Sequence, residues 1–267
     1  MINFSLFKAT AKSSLIIFIV FLAILLMYMA VMISMYNPDD IDVMSRLIET
    51  MPQGMMDAFG YSQAATSMIT FIAVYYYGFI ALMFPMIYCI ILANRLVASH
   101  IDCGSMAYLL ATPNTRFKII TTQALFIATS VTLLWFITST AGIAIGEIMF
   151  AGEMDIPAFL TLNLVTIIMT LAISSICFFF SCIFNEAKYS LAFGAGIPLL
   201  FFIVNMLRNV GSNYNWLKYL TIYSLFNPHA IVTGEESVLA VSLFFAGIAL
   251  ILYSAGIYIF SRRNLYL

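Results

Sequence analysis

The 267-residue chain is 63% hydrophobic and 9% charged, with a net charge of -1. A soluble domain carries about 25% charged residues, so this chain lacks the polar surface to fold in water, and lipid is its expected solvent. No polar stretch is long enough for a sizeable soluble domain, and the four cysteines (Cys89, Cys103, Cys177, Cys182) show neither a disulfide framework nor paired metal-ligand spacing.

The first element is a segment with Phe4, Leu6 and Phe7 beside Lys8 and Lys12. It reads either as a short amphipathic elbow helix on the membrane surface or as a plain charged N-terminus. A helix needs about 20 apolar residues to cross the hydrocarbon core, and six stretches qualify: 15–36, 66–93, 118–146, 157–183, 187–207 and 238–260. The first is longer than the core of a cleaved signal and no small-x-small site closes it, so it is expected to be retained. The turn FNEAKYS is short enough to make the fourth and fifth spans antiparallel neighbours. Gly194, Gly196 and Pro198 predict a kink in the fifth. Residues 37–65 alternate apolar and acidic groups, which suits a short surface helix. Residues 208–237 contain YLTIYSLF, too short to span and too apolar for free solvent. With Trp216, Tyr219, Tyr223 and Phe226 at interfacial depth, this region predicts a re-entrant or surface-lying hairpin ending at Asn227-Pro228. The whole chain is thus expected to be one all-α integral membrane domain.

Six spans put both termini on one side. That side carries Lys8, Lys12, Arg95, Arg116, Lys118, Lys188, Arg262 and Arg263, and the other only Arg46, Arg208 and Lys218. The positive-inside rule therefore places both termini in the cytoplasm of a multi-pass protein of the cell membrane, bacterial in type.

The source of energy narrows the function. No acidic residue lies near the middle of a span, which disfavours proton coupling. Sodium coupling through carbonyls at a Gly194–Pro198 break stays open. With two histidines outside the core, no HExxH and no intramembrane Ser–His or Asp pair, an enzyme is disfavoured. Nothing resembles a channel filter. No GxxxxGK[ST] phosphate loop is present, so uphill transport requires a separate nucleotide-hydrolysing partner. The alternative is an ATPase-independent secondary carrier or a membrane sensor.

The polar stretch SHIDCGSMAYLLATPNTRFK follows the second span. Asp102 or Ser105 can cap a short helix, Gly104 permits a sharp turn, and Met106, Leu109 and Leu110 form one apolar face. Thr112-Pro113 stops this helix and starts the next, with Arg116 and Lys118 at headgroup level. Such a knob either enters a partner's groove or dips into lipid.

GSMAYLLATPNTR resembles the segment after the second span of ABC-2 type transporter permeases, through Gly104-Ser105, Leu109-Leu110, Thr112-Pro113 and Arg116. FSRRNLYL resembles the family's basic C-terminal ending, and the six-span layout with its hairpin agrees. His100 stands where many members have Glu, and Gln123 where many have Lys. The resemblance implies a permease paired with a second permease, identical or related, and two ATPase subunits that hold the ATP and magnesium; this chain itself takes no cofactor and no nucleic acid. It also implies that Asp102, Gly104, Ser105, Met106, Leu109, Leu110, Pro113 and Arg116 form a coupling helix seated on the ATPase. A methionine-rich, adaptable route for an apolar or amphipathic cargo such as a peptide then has Met27, Tyr76, Asn163 and Asn205 as candidate lining residues. Ordinary packing and hydrogen bonding between helices is the other role open to them.

Overall fold

The computed structural model describes residues 3–37, 52–61, 63, 65–106, 115–210 and 212–263, and among these there is helix but no strand. Six helical stretches are long and apolar enough to cross a membrane. Three of them begin at a side-chain cap. Asn3 accepts the Leu6 N–H at 3.1 Å and starts α1 (Phe4–Met35). Thr115 accepts from Lys118 at 3.2 Å and starts α6 (Arg116–Met149). Asp155, with Pro157 in the first turn, starts α7 (Ile156–Ile183). Each cap satisfies an amide that lipid cannot. The cap of α6 is thus Thr115, three residues beyond the expected Thr112-Pro113, whose own place lies outside the described residues.

Helix α1 runs unbroken through residues 4–14, so no interruption of the helix marks a turn at the membrane surface. At 1.5 Å per residue its 32 residues measure about 48 Å, well beyond a 30 Å core.

The second span departs most from expectation. Residues 66–93 do not form one helix: α3 (Met68–Tyr75) and α4 (Ile80–Ala93) are separated by a break at residues 76–79. The Tyr77 N–H reaches back five residues to the Ile72 carbonyl at 3.2 Å, and the Ala81 N–H likewise to Tyr76 at 3.0 Å. Helix α4 then continues through a π-type turn at Asn94–Ala98 into α5 (Ser99–Asp102), so the crossing stretch is Ile80–Asp102.

Helix α8 (Ala187–Asn209) runs through Pro198, the residue expected to kink it, without a break in the helix. Pro198 has no N–H for the Gly194 carbonyl four residues back. The Cys177 thiol of α7 donates to that carbonyl instead, at 3.3 Å. Two 3₁₀ segments, Ser212–Tyr219 and Ile222–Leu225, lead to α9 (Pro228–Thr233) and α10 (Val238–Arg262). Asn227-Pro228 therefore opens a helix, with Asn227 Oδ1 as its cap and Pro228 in its first turn, rather than ending one. Of the 37–65 region, residues 38–51 lie outside the described residues, and Gln53–Phe59 is a short helix, α2.

Helix α7 is the central pillar, packed against α4, α6, α8 and α10, while α1 lies on α6 and α4. A buried polar network joins α6 and α7 to the break. Tyr77 Oη donates to Asn163 Oδ1 at 2.8 Å, Ser139 Oγ lies 2.6 Å from the same oxygen, and Asn163 Nδ2 donates to the Phe159 carbonyl. Trp135 stacks on Tyr77 and donates to Thr170 Oγ1 at 3.0 Å. In lipid these bonds orient helices more than they strengthen them, at about 1–2 kcal/mol each or less.

Candidate functional sites at the two ends of the bundle

At the end that holds both termini, basic side chains tie the helix ends together. Arg263 donates to the Cys182 carbonyl at 2.5 Å, the Phe184 carbonyl at 3.1 Å and Asn185 Oδ1, fixing the end of α10 on the α7–α8 turn. Arg116 donates to the Arg263 carbonyl at 2.8 Å, which brings the start of α6 to the same place. Arg95 donates to the Ser13 carbonyl at 3.1 Å and anchors α1 to the π-type turn.

The connector leaves from this platform. Asp102 is exposed and is the last residue of α5. Gly104 has φ +68°, a left-handed conformation that glycine alone adopts without cost. Ser105 and Met106 are already helical, and Met106 is buried. The Ser105 hydroxyl is turned backward: it donates to the His100 carbonyl at 3.1 Å and lies 2.8 Å from His100 Nδ1, within hydrogen-bonding distance. Leu109, Leu110 and Pro113 lie outside the described residues. His100 and Gln123 both have hydrogen-bonding partners, Ser105 for His100 and Thr10 for Gln123, whose Oε1 accepts from Thr10 Oγ1 at 3.4 Å.

The candidate pathway residues are dispersed. Met27 is 56% exposed on the outer flank of α1. Tyr76 is fully buried and donates to the Leu25 carbonyl at 3.3 Å, and Asn163 belongs to the buried network described above. Asn205 lies apart from these, at the opposite end of the bundle, where it lines a cleft of about 120 Å³. That cleft also has Asp57 from α2, Gly78 from the break, Arg208 from α8 and His229 from α9. Asn205 is only 9% exposed, and its Oδ1 has no hydrogen-bond partner. Arg208 donates one N–H to the Ser224 carbonyl at 3.2 Å. Sequence spacing does not reveal this cleft, because its residues come from four separate segments. Its one local signal is the glycine that interrupts YYYGF.

Several helix flanks expose apolar side chains, those of α1, α8 and α10 among them. On α1 they include Ile16, Val20 and Met27; on α8 Phe193, Leu200 and Ile203; on α10 Leu239, Leu250 and Ile251. Helix α10 is buried over 17% of its most apolar window and α1 over 22%, against 67% for α7.

A family model described as ABC-2 family transporter protein matches residues 7–265. No curated protein and no solved structure matches the chain.

Proposed function

The chain belongs to the ABC-2 transporter family and is thus a membrane permease component of an ABC transporter, not itself catalytic, and from that premise we propose that it exports an apolar or amphipathic cargo, such as a peptide, on energy from a separate ATPase. The observation that carries the reading is the family match over nearly the whole chain, together with six crossing helices. Eight of eleven basic residues lie at the end holding the termini, which supports a cytoplasmic face there.

On that face, residues 102–113 are the docking element for the ATPase. The left-handed turn at Gly104 aims the chain away from α5, and the hydrogen-bonded His100–Ser105 pair keeps the turn rigid. Just after the element, Arg116 and Arg263 tie the start of α6 to α10 and to the end of α7. A push on this short segment then moves the ends of several spans together. The first three turns of α1, with Lys8 and Lys12, lie at the cytoplasmic headgroups, and residues 212–233 form the outer hairpin. The poorly covered flanks of α1, α8 and α10 suit lipid, a second permease and an apolar cargo route.

The test is transport in inverted membrane vesicles that hold the chain and its ATPase. Uptake of a labelled amphipathic peptide is expected with ATP and not with a sodium or proton gradient alone. Uptake driven by an ion gradient without ATP would replace this reading with that of a secondary carrier.

A further inference from the structure

The cleft opposite the termini holds a buried acceptor that none of its neighbours meets, although Gln63, Asn209 and His229 also line it. Asn205 Oδ1 is buried there without a partner. Asp57 places a carboxylate in it and makes no ion pair with another described residue. Ala73 also lines it, and its carbonyl has lost the usual donor four residues on, since the Tyr77 N–H goes to Ile72. Facing these acceptors is the guanidinium of Arg208, which donates one N–H to the Ser224 carbonyl and also feels the Glu236 carboxyl, with further N–H groups left over. A buried acceptor left unmet is costly, so the cleft calls for a ligand that brings N–H donors to one side and an anionic oxygen to the other.

We propose that this cleft binds the headgroup of a phospholipid bearing a primary amine, phosphoethanolamine in type. The ammonium donates to Asn205 Oδ1 and Asp57, and the phosphate accepts from Arg208, a pairing that guanidinium geometry favours. A trimethylammonium headgroup has no N–H and leaves Asn205 unmet. A simple anion leaves Asp57 and Asn205 unmet, and a bare metal cation is repelled by Arg208. The position argues for a lipid over a soluble ligand. Arg208 is in the last turn of α8, at headgroup depth, and Ile203 and Leu207 on that helix expose an apolar surface for acyl chains. The exposed rings of Trp216 and Tyr219 mark the same interfacial level.

The test needs only the full-length chain purified in mild detergent, without the ATPase, so its failure leaves the transport reading untouched. Native mass spectrometry with equal amounts of phosphatidylethanolamine and phosphatidylcholine of identical chains reads retention directly. One charge-assisted hydrogen bond predicts about tenfold preference for the ethanolamine lipid. Asn205→Leu removes an unmet acceptor rather than a bond, so the fold is expected to hold while the preference falls toward unity. Asp57→Asn, on the short surface helix α2, serves as the second variant and weakens retention in the same direction. Equal retention of the two lipids, a preference unchanged in both variants, or stronger retention of a lysine peptide than of the lipid would overturn the proposal.

Discussion

A methyl group added at Gly78 would sit 2.4 Å from the Val74 carbonyl oxygen and 3.1 Å from that of Phe59. Both obstacles are backbone, so neither can swing aside. Gly78→Ala is therefore expected to lower stability by roughly 1–3 kcal/mol, read as a fall in the thermal midpoint of the detergent-purified protein. An unchanged midpoint would mean that the break is not held as described. At Asn163 the issue is hydrogen bonding. Asn163→Leu strands the Tyr77 hydroxyl in the core and is expected to cost about 1–2 kcal/mol, with partial recovery on adding Tyr77→Phe. Glu236 gives a pH signature. Burial raises its pKa, opposed by the Asn227 backbone N–H and by Arg208. A carboxyl that binds its proton more readily folded than unfolded makes the fold more stable as pH falls through its folded-state pKa. Glu236→Gln is expected to flatten that slope, and pH-dependent unfolding curves of the two proteins would show it.

At the scale of elements, the helix ends are tied more closely at the terminal end than their exposure suggests. Arg263 serves three acceptors on the α7–α8 turn, and Arg263→Gln is expected to loosen α10 there, visible as faster hydrogen exchange in residues 182–190. Gly104 tests the connector. A Cβ at this position meets nothing within 4 Å, so the cost of Gly104→Val is conformational alone, roughly 1–2 kcal/mol. Gly104→Asn is expected to cost less, since asparagine tolerates the left-handed region. The order Gly, Asn, Val should hold for ATPase stimulation as well as for stability. Most elements were legible in the sequence because apolar runs end at polar caps. The helices over 116–149, 156–183, 187–209 and 238–262 lie within about three residues of the runs that announce them. The second span was not, because no charge or proline lies at its break. Tyr76 and Tyr77 are drawn to partners on α1 and α7, and a single glycine permits the distortion. At Pro198 the cysteine that meets the freed carbonyl is on another helix, a pairing that spacing along the chain does not show.

For the whole molecule, composition and charge were enough for an all-helical membrane chain with both termini on one side. The candidate pathway was not legible, because lining is a property of packing: Asn163 and Asn205 look alike in sequence, yet one is bonded in the core and the other opens on a cleft. Orientation predicts that a cysteine placed at Glu235 reacts with an impermeant reagent on intact cells, whereas Cys103, exposed at the opposite end, reacts only after permeabilisation. The reverse pattern would invert the assignment of faces. The claim that matters most is that force enters at residues 102–113. It is tested by purifying the tagged chain from membranes that also contain its ATPase, with and without Leu109→Asp. The account predicts that a phosphate-loop ATPase copurifies with the unaltered chain and hydrolyses ATP faster on adding cargo. It also predicts that Leu109→Asp abolishes both at an unchanged membrane level of the chain. Full retention and stimulation of the ATPase by that variant would contradict it.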